Sequence, residues 1–542
     1  MQVKIVNSLE KIFPDVEPTQ EEYFGTVLKN ETYNFQIAFK STDNYFRRYN
    51  KLEVKGALAQ YITIRTEEYV AVNYRSPATD DYYLGNSCGI YPDLLKPIGP
   101  LGIVLPVERW RSVWVSVNVP ETVEAGTYKT DFVLISEKGE TLCETSYTIE
   151  IIGATLPETD LLITNWVHCD SIAEYHNVKP FGKKFYEIFA RYLDLYVKGG
   201  NTMLLTPLFT LPLDTAVGFE RSTTQLVDVE IIDGKYVFGF ERLKKYIRFA
   251  MKRGVKYIEF SHLFTQWGGK FSPKIVATVD GEQRKIFGWE VASEDERYVH
   301  FLETFLPELI KVIKDLGIKD KCYFHLTDEP HADHIENYAK CRSFVKKYIG
   351  DIPIIDAMSD YSYYEKGLVD IPVPITTSYA DFEKNNVTDI IVYNCRYPSD
   401  GYYSNRFINM PSQRTRILGM QLYKSGVKGY LHWGYNFYSS AFSWERLDPY
   451  AVTDGCGLFP CGDAYIVYPT KDGVNASLRY EIVKEGYQDY RALKLLESKI
   501  GRSNVLELLD DFGVKGYDEY PRDAQKHIAF RKKINNLIRE NL

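Results

Sequence analysis

Between residues 161 and 436 the chain repeats one pattern eight times: a short apolar run followed, in most cases, by an amphipathic stretch. The runs are LLITNWVH (161–168), NTMLLTPLF (201–209), VKYIEFSHLF (255–264), CYFHLTDE (322–329), IPIIDAMS (352–359), IPVPITTSY (371–379), TDIIVYNC (388–395) and VKGYLHWGYN (427–436). Runs of this length read as strands, and the segments between them as helices. In 241–254, Leu243, Ile247 and Ala250 recur at helical spacing and Gly254 supplies a stop. Ser293 and Glu296 form a capping-box pattern at the head of a helix that Pro307 is expected to kink. Helical cover is thin after the fifth and sixth runs. Eight β-then-α units over about 280 residues predict a (β/α)8 TIM barrel spanning 156–470.

The first 155 residues follow a different rule. Tyr33, Phe35, Ile37 and Phe39 alternate onto one face, and Val113, Val115, Val117 and Val119 onto another, which is the period of half-buried strands. Turn signals such as VEAGTY (123–128) and EKGET (137–141) interrupt the alternation. Residues 1–155 therefore read as an antiparallel β-sandwich, joined to the barrel through GATLPETD. From about residue 470 the pattern is helical, as in SLRYEIVKEGYQDYRALKLLESKIG, so 471–542 read as a helical extension packed on the barrel. The expected chain is multidomain, with all-β and α/β parts.

Composition narrows the function. A length of 542 residues is too great for one ordinary core. A net charge of −8 leaves no basic stripe to track phosphates, so nucleic acid is not an expected partner. The 43 tyrosines suit surfaces that stack on flat apolar faces and hydrogen-bond at their edges, as pyranose rings require. The N-terminal stretch has no apolar core of a signal peptide, and no window is long and apolar enough for a membrane span. Eight scattered cysteines without CxxC pairs fit reduced thiols and a cytoplasmic location, Cys456 and Cys461 being the one local pair that could bridge.

HLTDEP (325–330) ends the fourth run and places Asp328 and Glu329 side by side. In a barrel of this kind the chemistry gathers at the C-terminal ends of the strands. Trp166, His168, His262, Tyr379, Tyr393, Trp433 and Asn436 end other runs and are expected to converge on the same mouth. Paired carboxylates there suggest glycoside hydrolysis, in which one acid protonates the leaving oxygen and another stabilises positive charge at the anomeric carbon. Consecutive strand residues point to opposite faces, so neighbours cannot flank a sugar ring as a direct nucleophile or a water-activating base must. Pro330 is expected to hold Glu329 extended and so to set how the two side chains diverge. Adjacent acids fit better where the substrate brings its own nucleophile. A 2-acetamido oxygen then attacks the anomeric carbon, Asp328 orients and charges the acetamido N–H, and Glu329 is the general acid and base.

These residues resemble glycoside hydrolase family 123, the β-N-acetylgalactosaminidases. The resemblance rests on GGNTMLLTPLFTLPLDT (199–215), YIEFSHLFTQWGGKFSPKI (257–275), HLTDEP, RTRILGMQLYKSGVKGYLHWGYN (414–436) and GDAYIVYP with SLRYEIVKEGYQDY (462–490), and covers the chain from the sandwich through nearly the whole barrel. The last two segments belong to a broader group of domains and specify fold more than substrate. The resemblance implies a sandwich plus (β/α)8 barrel, no metal, no cofactor, and retaining, substrate-assisted hydrolysis by Asp328 and Glu329. The expected substrate is a glycan or glycolipid with terminal β-linked GalNAc. A β-N-acetylglucosaminidase of the same chemistry and a non-catalytic glycan-binding protein are the alternatives, the intact acid pair speaking against the second.

Plainer readings stand beside these. Asp-Glu-Pro can simply cap a following helix. His331 and His334 mimic metal-ligand spacing without the HExxH arrangement, so no metal is expected. His262 and His325 can be satisfied core histidines, although His262 is the better candidate for substrate contact. Trp433 can be packing only, or the floor of the sugar subsite. Tyr379 and Tyr393 are equal candidates for holding the acetamido oxygen.

Overall fold

The structure is a computed structural model and describes the chain apart from residues 74–76, 78 and 86. It is a mixed α/β protein. The alternation that opens the chain lies on the strand Glu31–Lys40, which pairs antiparallel with Trp110–Val119 so that Phe35 faces Val115 and Ile37 faces Val113. With Gln2–Asn7, Ile62–Val72 and Gly89–Pro97 they form one five-stranded sheet; Phe24–Lys29, Arg47–Lys55, Ile103–Leu105, Gly126–Ile135 and Thr141–Thr155 form another. Phe35, Ile37 and Val115 of the first share a core with Phe132, Leu134 and Ile149 of the second. One ladder departs from the antiparallel expectation: Thr141–Thr155 runs parallel to Phe24–Lys29. The two strands are far apart in sequence, so no hairpin dictates their direction.

Each of the eight apolar runs contains a short strand. These are Leu162–Asn165, Met203–Thr206, Tyr257–Phe260, Cys322–Phe324, Ile355–Ala357, Ile371–Val373, Ile391–Tyr393 and Gly429–His432. Their ladders are parallel: the second, third and fourth pair in order, the fifth pairs with the sixth, and the eighth lies between the seventh and the first. Single parallel bridges, Phe324 to Ile354 and Ile375 to Tyr393, link these groups. Thr202 N–H donates to the Ile163 carbonyl (2.9 Å), tying the first strand to the second.

The helix at Glu241–Lys252 buries Leu243, Ile247 and Ala250, and Gly254 follows with a φ of +101°. The helix Glu296–Asp315 runs unbroken through Pro307, and its cap is Asp295, whose carboxylate accepts from Arg297 N–H. Ser293 lies too far upstream to cap it and is held instead by the Lys270 carbonyl. Helices after the fifth and sixth strands are single turns, Ser362–Glu365 and Tyr379–Glu383.

A four-stranded sheet of Asp228–Ile232, Lys235–Gly239, Ile275–Val279 and Glu282–Phe287 was not anticipated. Its two hairpins turn on Asp233-Gly234 and Asp280-Gly281, all four at positive φ, the geometry that two-residue hairpin loops favour.

The C-terminal helices pack on other helices and on the N-terminal sheets. Leu478–Ile500 is capped by Ser477, whose hydroxyl accepts from Tyr480 N–H, and lies so close to Leu418–Ser425 that a Cβ on Gly419 would stand 1.7 Å from the Gly486 carbonyl oxygen. Ala524–Glu540 reaches the N-terminal sheets: Arg531 pairs with Glu31 (2.7 Å) and Asp489 (3.0 Å). Cys456 and Cys461 are not bridged; the first is exposed and the second buried. Among the described residues no helix is long and apolar enough to cross a membrane.

Candidate functional site

Strand Cys322–Phe324 is short, and the chain leaves it through His325-Leu326-Thr327 to the acid pair. This exit is pinned on both sides. Phe264 N–H donates to the Leu326 carbonyl (2.9 Å) and Trp267 N–H to that of Asp328 (2.7 Å), while Glu329 N–H donates to the Ala357 carbonyl (3.0 Å). The Thr327 hydroxyl donates to the Thr265 carbonyl (2.6 Å). Glu329 is not extended, as its place before Pro330 predicted, but left-handed at φ +43°. A non-glycine residue before proline adopts that conformation only where its surroundings impose it. Here the neighbouring strand and loop do so.

Asp328 and Glu329 line a cavity of about 390 Å³ together with Trp166, Tyr393 and Trp433. Tyr393 donates its hydroxyl to Glu329 Oε1 (2.7 Å), and Trp433 Nε1 donates to Asp463 Oδ2 (3.1 Å). Glu329 and Tyr393 also line an adjoining cavity of about 360 Å³ with His331, Ser359 and Asp360. The acid thus stands at the boundary of two spaces, whereas Asp328 belongs to the first alone.

Other expected mouth residues lie elsewhere. His262 is buried and does not line the cavity; its ring stacks on His325 at 4.3 Å and meets the edge of Trp166 at 5.3 Å. Tyr379 begins a helical turn, because the sixth strand ends at Val373 and the chain then coils through Thr376–Ser378. Its hydroxyl donates to the Ser425 carbonyl (2.9 Å), away from the acids. His168 is held by Arg221 (2.9 Å) and the Trp433 carbonyl (2.9 Å), and Asn436 accepts from His168 N–H.

Two acids that sequence reasoning did not single out share the cavity, Asp214 and Asp463, along with Arg396 and Trp267. Both lie in quoted segments, in LPLDT and at the head of GDAYIVYP, yet nothing local marks them as site residues. Burial pushes the Asp214 carboxyl up to about 6. Burial pushes Asp463 up to about 7, against the opposing pull of Arg406 and Trp433. Asp328 is pushed well above the ordinary carboxylate range by burial and by the charge of Glu329, with His325 pulling the other way. A cavity with several acids reluctant to ionise can deliver a proton near neutral pH.

His262, His325 and Asp356 bring potential metal-ligand atoms within 4.8 Å of one another. Both His325 nitrogens, however, face carboxylates at hydrogen-bond distance, Glu259 (2.5 Å) and Asp356 (3.1 Å). The His262 ring lies at 18° to that of His325, stacked rather than converging with it on a point. The cluster is a hydrogen-bonded one, built beneath the cavity wall.

The sequence pattern described as Glycoside hydrolase 123, catalytic domain, matches residues 166–496. Among solved structures, a family 123 glycoside hydrolase from Clostridium perfringens, studied for glycolipid glycan hydrolysis, superposes with a TM-score of 0.74 at 14% identity, over 99% of this chain and 97% of that one. A family 2 glycosyl hydrolase from Bacteroides cellulosilyticus aligns far more loosely, with a TM-score of 0.29 at 11% identity over 85% of this chain and 50% of that one. No curated protein sequence matches. The family pattern spans the acid pair, Trp166, Tyr393 and Trp433, and most of the helix Leu478–Ile500. The chain therefore belongs to glycoside hydrolase family 123, and its chemistry is that of a glycosidase.

Proposed function

We propose that this glycosidase is an exo-acting β-N-acetylgalactosaminidase that removes terminal β-linked GalNAc from glycans or glycolipids by a retaining, substrate-assisted mechanism. The observation that carries this reading is the consecutive pair itself. Asp328 and Glu329 open on one cavity, and only Glu329 reaches the adjoining one. A sugar seated in the first cavity, with its leaving group directed toward the second, would place its glycosidic oxygen beside Glu329.

In the proposed reaction the acetamido oxygen attacks C1 as Glu329 protonates the departing oxygen, and Asp328 accepts from the acetamido N–H. The C1–O bond breaks and a bicyclic oxazolinium forms. Glu329, now ionised, takes a proton from water, whose oxygen attacks C1, reopens the ring and restores the original configuration. Burial and the charge of Glu329 favour a protonated Asp328 in the empty site. The acetamido N–H would compensate that carboxylate on binding and leave the shared proton on Glu329. Trp433, held through Asp463, suits the floor under the pyranose.

We read the eight parallel strands as one closed (β/α)8 barrel spanning 156–470. The bridges between ladders and the Thr202 to Ile163 bond support that closure. The two N-terminal sheets with their common core support a sandwich spanning 1–155, and 471–542 then form the helical extension. A cytoplasmic location is part of the same proposal, on the spacing of the cysteines.

Asp214 and Asp463 favour a second reading, because either provides a carboxylate in the same cavity for direct attack on C1. One set of assays decides. Nitrophenol release from an aryl β-GalNAc, with almost none from the aryl β-galactoside that lacks the acetamide, supports the substrate-assisted scheme. A covalent ester on Asp214 or Asp463, trapped with a fluorinated sugar, overturns it. Faster release from the aryl β-GlcNAc would reassign the sugar.

A further inference from the structure

Beneath the acid pair lies a fully buried group of three ionisable side chains, Glu259, His325 and Asp356. Glu259 Oε1 faces His325 Nε2 at 2.5 Å, and Asp356 Oδ1 faces Nδ1 at 3.1 Å. The other contacts to these carboxylates are donors: the Thr164 hydroxyl (2.7 Å) and Trp166 Nε1 (2.8 Å) on Glu259, and the Tyr338 hydroxyl (2.6 Å) and Leu326 N–H (3.0 Å) on Asp356. A neutral imidazole has one N–H and one lone pair, and would set that lone pair against a carboxylate oxygen. The contacts are satisfied when the three groups share two protons, and imidazole is the strongest base among them.

We propose that His325 is a positioning residue that carries a permanent positive charge beneath Asp328, and that this charge, clamped by Glu259 and Asp356, lets Asp328 ionise when the acetamido group arrives. The inference rests on the role of Asp328 given under Proposed function. Of the charged neighbours acting most strongly on Asp328, Glu329, Asp356 and Asp214 oppose its ionisation and His325 favours it. Arg396 also lines the cavity. Around His325 itself stand Glu259 and Asp356, the neutral His262 stacked at 4.3 Å, and Tyr338 behind Asp356. Burial opposes the charge on His325, but the two carboxylates outweigh it and raise the imidazole to about 9, so it stays charged through neutral pH. His262, buried beside that charge, is driven well below its ordinary value and stays neutral.

The same clamp orders the site. Glu259 holds the indole of Trp166, a wall of the cavity, and Asp356 holds the backbone of Leu326, two residues before Asp328. A histidine that only packed there would do this in either protonation state. The charge is what separates the two roles.

Two measurements on the full-length protein test the proposal. In protein labelled with 15N-histidine, His325 should show both ring nitrogens protonated at pH 7.5, and a neutral-imidazole spectrum overturns the proposal without any variant. In His325→Gln, the acid limb of the kcat/KM profile on an aryl β-GalNAc should move up by roughly one to three pH units, the range an opposite charge commands. A fall in kcat with the limb unmoved means a packing role and also overturns it. If the Gln variant does not fold, Asp356→Asn weakens the same clamp, and the wild-type spectrum still decides. The underlying role of Asp328 fails separately, if Asp328→Asn turns over like the wild type.

Discussion

The hydroxyl of Tyr393, at the end of the seventh parallel strand, donates to Oε1 of Glu329, beyond the end of the fourth, at 2.7 Å. The bond fixes a side chain whose backbone is itself in the left-handed region. Tyr393 remains a phenol throughout, since burial and the charge of Glu329 push its ionisation well up.

Tyr393→Phe removes the donor and leaves the ring. A hydrogen bond to a charged group contributes about 1.5–3 kcal/mol, so kcat/KM should fall roughly 10- to 100-fold. Steady-state kinetics on a folded variant measure this, and an unchanged value would make Tyr393 passive.

Glu329→Gln removes the carboxyl proposed above as the proton donor. Turnover of natural glycans should drop by roughly 10² to 10⁴, and that of aryl glycosides with good leaving groups by less, because they need less protonation. Equal losses on both substrate types would sink the assignment of Glu329 as the acid.

Asp463 predicts a gain in stability. Its carboxyl, near 4 in the unfolded chain, is held at about 7 by burial in the folded protein. Between those values the folded state binds more protons, so stability falls as pH rises through the window. Asp463→Asn keeps an acceptor for Trp433 and should raise Tm at pH 8, with the gain fading toward pH 4. Thermal melts at the two pH values check the sign. Asp328→Asn should behave in the same direction, because its carboxyl is also raised by burial.

Gly419→Ala should destabilise the fold. The added Cβ would meet the Gly486 carbonyl oxygen at 1.7 Å, on a backbone that cannot move without separating two packed helices. Overpacking of this kind costs about 3 kcal/mol at the upper end of its usual range. Urea titration would show it as a lower midpoint at unchanged slope.

Much of the architecture was legible from local pattern. Each of the eight apolar runs holds its strand, and Tyr33, Phe35 and Ile37 lie opposite Val117, Val115 and Val113 on neighbouring strands of one sheet. The two Asp-Gly hairpins carry their own local signal, in IIDGKY and TVDGEQ, but lie in the connections between the parallel strands, outside the repeat that the periodicity marks. The prediction for Ser293 failed on register alone, with Asp295 two residues nearer the helix.

By itself, the sequence determined the acid pair, the strand that delivers it, and the presence of Tyr393 and Trp433 at other strand ends. These follow from periodicity, which a chain carries residue by residue. Only the tertiary structure decided which strand ends meet. Tyr379 turns away because its chain coils after Val373, while Asp214 and Asp463 arrive from distant loops. Only the tertiary structure, too, could impose a left-handed Glu329 before Pro330, since the bonds from Ala357 and Tyr393 that hold it there come from other strands. Charge follows the same rule. Whether His325 is a neutral core residue or an imidazolium depends on two carboxylates, 66 and 31 positions away in sequence, that the fold sets against its two nitrogens.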